Sequence, residues 1–269
     1  MNVGIYSNRS YLERDNINIL RIKDRLLKAG YPCKIIENIC DADGVEVLFV
    51  LGGDGTILTV AAECAKRGIK IIGINYGHIG FLTEFESDRI DEAVSLVING
   101  NYKIQKRHLL EIEHSEKFLA LNDVVIQRNT GALNFSNTVK IHAEIDGTTV
   151  DNFSADGIIV STPTGSTASS LSAGGSVLSP DLHAFSLTPV CAHSLHSRPI
   201  VFSDESTVTV KAVTCREPLV MIVDGKVVGR LPAGEQVAIK KSQYFAEFIT
   251  KGEENFFEKL FLKLSIWSK

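Results

Sequence analysis

The sequence has 269 residues, about twice the length of a typical domain, which favours two packed units or one large α/β domain. Lys and Arg number 28 and Asp and Glu 32, so the net charge of −4 leaves no basic surplus for binding nucleic acid or an anionic membrane. No apolar run approaches the roughly 20 residues of a membrane span. We therefore expect a globular protein that has neither nucleic acid nor membrane as a partner.

The sequence shows no pattern of export or of a disulfide framework. Arg9, Glu13, Arg14 and Asp15 interrupt any apolar signal-peptide core, so we expect residence in the cytoplasm. The cysteines are odd in number and form no C-x-x-C pair, which fits neither disulfide pairing nor a zinc knuckle. We expect reduced, mostly buried thiols at Cys33, Cys40, Cys64, Cys191 and Cys215.

Strand and helix patterns alternate over the first 100 residues. Short apolar runs of the kind found in strands buried on both faces are separated by segments with helical spacing or helix-forming residues. Asp88 is expected to cap the last of these helices and Gly100 to end it. This alternation predicts a mostly parallel sheet covered by helices. The predicted strands are residues 2–7, 45–51 and 69–74, and the predicted helices are residues 19–27, 57–66 and 88–98.

After residue 101 the apolar period changes to two, as in residues 139–145, which predicts a β-rich region. Asp146-Gly147 and Asp224-Gly225 lie between alternating runs and are typical of type I′ hairpin turns. The hairpin at 220–228 would expose strand edges in a monomer, and such edges are usually paired or covered. We therefore expect a closed homo-oligomer.

The tail returns to helical spacing and predicts a helix docked on the protein rather than on a membrane, because its polar face is not strongly basic. The expected docking face is apolar, with the charged residues off it. That face is Phe256, Phe257, Leu260, Phe261 and Leu264, and the charged residues are Glu258, Lys259 and Lys263.

The glycine-rich segment Gly52-Gly53-Asp54-Gly55-Thr56 lies directly after a predicted buried strand and directly before a helix. Glycines let backbone N–H groups approach a ligand, and a helix N-terminus adds partial positive charge, which suits phosphate oxygens. A carboxylate would repel a phosphate, so Asp54 is expected to accept a proton or hydrogen bond from a hydroxyl, or to hold a metal cation beside the phosphates. Both roles describe a kinase. The alternative is a tight strand-to-helix turn with Asp54 as the N-cap.

Three other classes of phosphate-binding protein are excluded because their motifs are absent from the sequence. The chain contains no G-x-x-x-x-G-K-[ST], no G-x-G-x-x-G, and no H-R-D followed by D-F-G. It is therefore not expected to be a P-loop enzyme, an ordinary dinucleotide dehydrogenase or a protein kinase.

A second glycine-containing loop, residues 75–82, follows the next buried strand, so both loops are expected at the carboxyl edge of the sheet, where α/β folds bind ligands. Phe81 in this loop is a candidate for packing on a nucleobase. The alternative is that Phe81 and Leu82 are plain core residues.

Small hydroxyl residues crowd residues 161–175, which follow Asp156-Gly157 and a predicted strand at 158–160. Such residues suit recognition of ribose and diphosphate, and the alternative is a Ser/Thr-rich surface loop. Asn122-Asp123 alone is a weak turn signal. His193 and His196 lack further ligands nearby for a metal site.

Together these segments resemble the NAD kinase family over most of the chain. The last segment is the most specific, whereas GGDGT alone is shared with lipid kinases and, as a near variant, with phosphofructokinases. The segments are GGDGT at 52–56, NYGHIGFL at 75–82, Asn122-Asp123 where that family usually has Asn-Glu, and DGIIVSTPTGSTA at 156–168 running into SLSAGG at 170–175.

The resemblance implies an α/β amino-terminal domain over 1–100, a β-rich NAD-binding domain over 101–252, and a tail over 253–269 that returns to the first domain. It implies phosphorylation of the 2′-hydroxyl of the adenosine ribose of NAD, with ATP or polyphosphate as donor and a divalent cation, Mg²⁺ or Mn²⁺. It also implies a dimer or tetramer in which a neighbouring subunit completes the NAD site.

The resemblance also implies roles for individual residues, and leaves the metal ligands unassigned. Asp54 falls on the catalytic proton acceptor. The phosphate-binding residues are Gly52, Gly53, Gly55 and Thr56. The NAD-binding residues are Asp54, Gly55, Phe81, Asn122, Asp123, Ser154, Asp156, Thr164, Thr167, Ala168, Ser169, Ser170, Leu171 and Ser172, with Asp224 and Lys226 as further candidates.

Four positions depart from the family pattern. Ser169 stands where many members have Tyr, Asp123 replaces Glu, Ser154 stands where some have Arg, and Lys226 stands where Gln is frequent. We expect these departures to change affinity and contacts at the nicotinamide end rather than the reaction, because the GGDGT loop is intact.

Two alternative functions belong to other classes. Lipid kinases place an Asn-Glu pair almost at once after GGDGT, whereas here residues 57–59 are Ile-Leu-Thr and Asn122-Asp123 comes much later. A catalytically silent NAD(P)-sensing module would keep the hydroxyl-rich loop but has no need of Asp54.

Overall fold

The computed structural model describes residues 1–8, 12–77, 80–129, 138–194, 196–252 and 256–267. The chain forms two compact units, one of Met1–Arg107 with Phe245–Lys269 and the other of His108–Tyr244. Across these described segments, no helix combines the length and apolar character that a membrane crossing requires.

The first unit is built on a parallel sheet whose neighbouring strands run in the order β4-β3-β1-β2, with β5 beside β4. Val3, Phe49 and Ile72 are fully or almost fully buried within it, as expected of strands covered on both faces. The strands are β1 (Val3–Ser7), β2 (Cys33–Ile36), β3 (Val47–Leu51), β4 (Lys70–Asn75) and β5 (Phe85–Glu86), and the helices are α1 (Leu12–Lys28), α2 (Asp54–Arg67) and α3 (Ile90–Asn99).

The predicted cap of α3 is wrong. Asp88 lies in a 3₁₀ turn, Ser87–Arg89, and the helix begins after that turn with Arg89 as the N-cap. Asp91 and Glu92 in the first turn of α3 supply the negative charge that a helix N-terminus favours. Gly100 ends the helix in the left-handed region, with φ of +68°, as predicted.

The second unit contains two largely antiparallel arrays of strands, one in the order β13-β12-β11-β8-β15-β16 and the other containing β10-β9-β14-β17, with β6 paired to β7. Phe153, Phe185 and Met221 belong to an apolar core cluster in this unit. The strands are β6 (Lys103–Glu113), β7 (Lys117–Ala120), β8 (Asp123–Gln127), β9 (Val139–Ile145), β10 (Thr148–Ala155), β11 (Gly157–Ser161), β12 (Ala184–Val190), β13 (Ile200–Ser203), β14 (Val208–Thr214), β15 (Leu219–Val223), β16 (Lys226–Leu231) and β17 (Gln236–Thr250).

Both predicted Asp-Gly turns are confirmed. Asp146 and Gly147 join β9 to β10 with φ values of 51° and 75°, and Asp224 and Gly225 join β15 to β16 with φ values of 45° and 78°. Positive φ at both central residues is the signature of the type I′ turn.

The end of β17 and the tail helix belong to the first unit, where Phe248 pairs with Ile71 of the parallel sheet. A short helix, α4 (Ser169–Ser172), precedes β12, and the tail helix is α5 (Phe256–Trp267). The predicted fold class is confirmed: a mostly parallel α/β amino-terminal part, a β-rich carboxy-terminal part, and a tail that returns to the first sheet.

The predicted docking face of α5 is confirmed at Phe256 but is wrong at Phe257 and Phe261. Phe257 and Phe261 are 62% and 71% exposed, whereas Lys263 is only 14% exposed at its side chain. The helix docks through Phe256 and two lysines, because the long lysine stems pack inward while their ammonium groups find oxygen partners. Counting apolar positions alone therefore assigns Phe257 and Phe261 to the docking face and leaves Lys259 and Lys263 out of it.

The cysteines are free, but the expectation that most are buried is wrong. Cys64 is buried, Cys33 and Cys215 are half-buried, and Cys40 and Cys191 are exposed. Burial raises the pKa of the Cys64 thiol to about 12, so this thiol stays protonated near neutral pH.

Candidate active site

Asp54 is the first residue of α2, immediately after the glycine turn that leaves β3. Gly53 is the N-cap, so the alternative in which Asp54 fills that position is wrong. The amide of Gly52 donates to the carbonyl of Ile74 over 2.9 Å, which ties this turn to the neighbouring strand β4.

The Asp54 carboxylate is held by the second glycine-containing loop. Phe81 N donates to Oδ2 over 2.8 Å and Leu82 N to Oδ1 over 3.0 Å. The two loops therefore meet at the carboxyl ends of the adjacent parallel strands β3 and β4. The structure brings them together as the strand order predicts.

Gly80 makes this approach sterically feasible. A Cβ at Gly80 would lie 2.1 Å from Asp54 Oδ1 and 2.8 Å from Thr83 Oγ1. Gly80 N also donates to Thr83 Oγ1 over 3.2 Å. Any side chain at this position would displace the carboxylate from its two amide donors.

A cation from the tail completes the surroundings of Asp54. Lys263 Nζ lies 3.4 Å from Asp54 Oδ2 and 4.2 Å from the centroid of the Phe81 ring. The Phe81 ring also packs against Phe256 at 6.2 Å between centroids. Sequence reasoning missed Lys263, because a lysine on an amphipathic helix ordinarily indicates the solvent face.

In the second unit, Asp224 clamps the turn that contains Asn122 and Asp123. Its carboxylate accepts hydrogen bonds from the amides of Leu121 (2.7 Å), Asn122 (2.8 Å) and Asp123 (3.2 Å). Asp224 N also donates to the carbonyl of Asp123 over 3.1 Å. Burial raises the pKa of Asp224, although the three amide donors oppose that shift. The hairpin residue therefore shapes the Asn122-Asp123 turn through its side chain as well as its backbone.

Asp123 is only 3% exposed at the start of β8. Burial raises its pKa from the ordinary value of 3.8 to about 6, against hydrogen bonds from Ser169 that lower it. Ser169, which stands where the family often has Tyr, is thus a direct partner of this carboxyl group.

The hydroxyl-rich segment packs closely on the same turn. Thr162 Oγ1 donates to the carbonyl of Leu121 over 2.6 Å and accepts from Gly165 N over 3.0 Å. A Cβ at Gly165 would lie 2.0 Å from the carbonyl oxygen of Asn122. Residues 161–166 are buried, so the surface-loop alternative is wrong for this first part of the segment.

Several hydroxyls in this segment build the loop itself. Ser166 Oγ donates to the carbonyl of Pro163 over 2.6 Å and accepts from Leu178 N over 3.0 Å, and Ser170 Oγ lies 3.0 Å from Thr188 Oγ1. Thr164 and Ser170 are accordingly buried. The members of the predicted NAD-binding set that are exposed or half-buried here are Thr167, Ala168, Ser169, Leu171 and Ser172.

Asp156 has a cationic partner that the sequence did not reveal. Arg128 Nη2 donates to Asp156 Oδ2 over 3.1 Å, and Arg128 Nε lies 3.0 Å from Asp156 Oδ1, so the guanidinium group forms an ion pair with the carboxylate. Ser154 Oγ donates to Thr138 Oγ1 over 3.3 Å, and Lys226 is exposed at the start of β16.

A carboxylate at a glycine turn between a parallel strand and a helix, together with a β-rich unit carrying a buried hydroxyl loop, defines a phosphotransferase that acts on a nucleotide. The ATP-NAD kinase N-terminal domain model matches residues 12–102, and the ATP-NAD kinase C-terminal domain model matches residues 121–251. The chain belongs to the NAD kinase family. The predicted resemblance and activity are confirmed, and the lipid-kinase and silent-sensor alternatives fall away.

Relatives named NAD kinase match most of the chain. NAD kinase of Clostridium botulinum (strain Kyoto / Type A2) is 38% identical over 248 residues, which is 90% of this chain and 86% of that protein. NAD kinase of Heliobacterium modesticaldum is 37% identical over 219 residues, which is 79% of this chain and 76% of that protein.

Solved structures share the fold. An NAD kinase from Archaeoglobus fulgidus in complex with ATP superposes with a TM-score of 0.80 at 25% identity, covering 98% of this chain and 99% of that one. Yeast NADH kinase complexed with NADH superposes with a TM-score of 0.84 at 23% identity, covering 100% of this chain and 89% of that one. At this identity the match shows only that the two proteins share a fold.

Proposed function

We propose that this enzyme transfers the γ-phosphoryl group of ATP to the 2′-hydroxyl of the adenosine ribose of NAD, with Asp54 as the proton acceptor. The ribose oxygen forms the new P–O bond, the bond from the γ-phosphorus to the β,γ-bridging oxygen breaks, and ADP leaves. The hydroxyl proton passes to the Asp54 carboxylate. The observation that carries this role is the fixed orientation of Asp54 by the amides of Phe81 and Leu82.

The phosphoryl-transfer step does not require a strong base. Phosphoryl transfer passes through a loose transition state in which the nucleophile loses its proton late, so positioning and charge neutralisation supply most of the rate. Lys263, 3.4 Å from Asp54, supplies a fixed positive charge of the kind that stabilises phosphate oxygens. The amide groups of Gly53, Asp54 and Gly55 at the start of α2 are the proposed phosphate contacts, whereas the amides of Gly52 and Thr56 already donate to the carbonyls of Ile74 and Gly53.

The carboxylate oxygens of Asp54 are suitable ligands for a divalent cation. Mg²⁺ is typically held by one or two carboxylates together with substrate phosphates, and Asp54 offers such a carboxylate beside the phosphate-binding turn. When bound, Mg²⁺ or Mn²⁺ would neutralise charge on the donor phosphates. Asp54 is the residue proposed to hold it.

The remaining proposed NAD contacts lie in the second unit. Asn122 and Asp123 are proposed to bind ribose hydroxyls, since Asp224 holds their backbone rigidly. Asp156, oriented by Arg128, is proposed to contact the nicotinamide end. Phe81 is proposed to contact the adenine base, and residues 167–172 to line the dinucleotide.

The test combines turnover with binding. Purified enzyme, NAD, ATP and Mg²⁺ are expected to give NADP, measured by a coupled assay that produces NADPH. Asp54→Ala is expected to lower kcat by several orders of magnitude while NAD binding, measured by calorimetry, persists. Absence of NADP formation with ATP and with polyphosphate, across several divalent metals, would refute the proposal. The same panel determines the preferred donor.

We also propose that the enzyme is a homo-oligomer. β16 is an edge strand with Val227 68% exposed, and α5 presents Phe257 and Phe261 on its outer face. Light scattering of a fully active preparation is expected to give a multiple of the 29.4 kDa chain mass. A monomeric mass at full activity would contradict this proposal.

A further inference from the structure

Two histidines and an aspartate converge at one end of a strand pair in the second unit. Ala184 of β12 pairs with Ser203 of β13, so His183 and Asp204 stand opposite each other one residue beyond that pair. Asp204 N donates to the carbonyl of His183 over 3.4 Å. His108, on β6, reaches the same point from another strand. The three residues come from distant parts of the sequence, which explains why no ligand spacing reveals them.

The ligand atoms lie at separations that suit a metal ion. His108 Nδ1 is 3.0 Å and His183 Nδ1 is 3.4 Å from Asp204 Oδ2, and the three atoms lie within 4.8 Å of one another. In a tetrahedral zinc site with bonds of about 2.1 Å, ligand atoms are about 3.4 Å apart. The two imidazole rings lie edge to face with 5.1 Å between their centroids, so neither ring covers the other. The geometry points to a binding site for a transition-metal ion of the zinc class, held by His108, His183 and Asp204.

The chemistry of the three side chains fits a transition-metal ion. Asp204 is 2% exposed, so the carboxylate that faces both histidines is shielded from water. Two imidazoles and one carboxylate select Zn²⁺, Co²⁺ or Ni²⁺ over Mg²⁺, which prefers oxygen ligands. The site is therefore chemically separate from the cation proposed at Asp54.

Lys241 is the competitor for Asp204. Its Nζ lies 2.8 Å from Asp204 Oδ2, the same oxygen that faces both histidines, and 2.7 Å from Glu205 Oε1. A metal must displace the ammonium group from Asp204. Glu205 is a second ion-pair partner of Lys241, so the ammonium group keeps one carboxylate partner when a metal displaces it from Asp204. Removing the lysine charge is therefore expected to tighten metal binding.

The test is binding of Co²⁺ and Zn²⁺ to the full-length protein after treatment with a chelator, followed by calorimetry and by the visible absorption of tetrahedral Co²⁺. Wild type is expected to bind one ion per chain, and Zn²⁺ is expected to raise its Tm by several degrees. Excess Mg²⁺ is expected not to compete.

Matched variants locate the site. His183→Ala is expected to weaken binding at least about tenfold, whereas His196→Ala, at a histidine of similar exposure, is expected to bind as wild type does. His183 is 75% exposed at its side chain, so its loss should leave the fold intact, which circular dichroism checks. Lys241→Gln is expected to bind at least as tightly as wild type. No binding by wild type, equal loss in both histidine variants, or weaker binding by Lys241→Gln would overturn the assignment.

Discussion

Lys263 Nζ lies 3.4 Å from Asp54 Oδ2, although 209 residues separate the two in the sequence. The side chain of Asp54 is 28% exposed and that of Lys263 is 14% exposed, so water screens this pair less than it screens a surface ion pair. The same ammonium lies 4.2 Å from the Phe81 ring centroid, a cation–π distance. The tail helix thus delivers a fixed positive charge to the residue that is proposed to accept the proton.

Lys263→Met should therefore impair turnover more than folding. Methionine keeps an apolar stem of similar length against Phe81 but removes the charge, so we expect kcat to fall about 10- to 100-fold, equivalent to about 1.4–2.7 kcal/mol. Steady-state kinetics with ATP and NAD varied separately measure this change. Lys259→Met is the matched control on the same helix, because Lys259 donates to the carbonyl of Thr83. Equal kcat values for the two variants would show that the charge beside Asp54 is unimportant.

Gly80→Ala tests whether the position of Asp54 matters independently of its chemistry. The added methyl group would lie 2.1 Å from Asp54 Oδ1 and must displace the carboxylate. A displacement of about 1 Å can cost about a hundredfold in rate, and we expect a loss of that size. The control is Gly77→Ala in the same loop, since a Cβ there meets nothing within 4 Å. Retention of full activity by Gly80→Ala would contradict the proposed positioning of Asp54.

The sequence predicted features that depend on local pattern. Buried strands such as β3, the glycine turn at 52–53 and the two Asp-Gly hairpins follow from composition and period, and the parallel strand order then places both glycine loops at one edge. The inward position of Lys263 on α5 was not predicted, because its partner, Asp54, is distant in the sequence. A hydrophobic pattern weighs apolar side chains and contains no information about such a pairing.

The polar contacts of the second unit escaped prediction for the same reason. Asp224 was readable as a turn residue, yet its three amide partners lie 101 to 103 residues away. Arg128 and the His108 cluster likewise become visible only when distant strands are aligned. Sequence motifs predicted the chemistry of the site, whereas the groups that orient its residues could be identified only in the folded structure.

Asp123 should make stability depend on pH. Its pKa is raised from 3.8 to about 6, so the folded state binds more protons than the unfolded state between these values. Stability contributed by the protonated group is therefore complete below about pH 4 and is lost as pH rises through 6, by an amount on the order of 2–3 kcal/mol. Urea unfolding of wild type and Asp123→Asn at several pH values in this range measures the effect. The variant is expected to show a flatter profile, and identical slopes would contradict the shifted pKa.

The two Asp-Gly hairpins provide an internal comparison for Asp224. Asn tolerates the positive φ of both turns, so Asp224→Asn and Asp146→Asn leave the turn geometry unchanged and alter only the side-chain contacts. Asp224 accepts hydrogen bonds from three backbone amides. The side-chain NH₂ group of an asparagine is a donor and cannot accept such bonds, so we expect Asp224→Asn to lower the unfolding free energy by about 1–3 kcal/mol. Asp146 accepts hydrogen bonds from Thr207 N at 2.9 Å and from the side chain of Ser206, but it is exposed, so water can replace these partners and the loss is expected to stay below about 1 kcal/mol. Because the Asn122-Asp123 turn relaxes in Asp224→Asn, KM for NAD should rise while KM for ATP changes little. Equal destabilisation of the two variants, or an unchanged KM for NAD, would contradict the role of Asp224 as the residue that positions this turn.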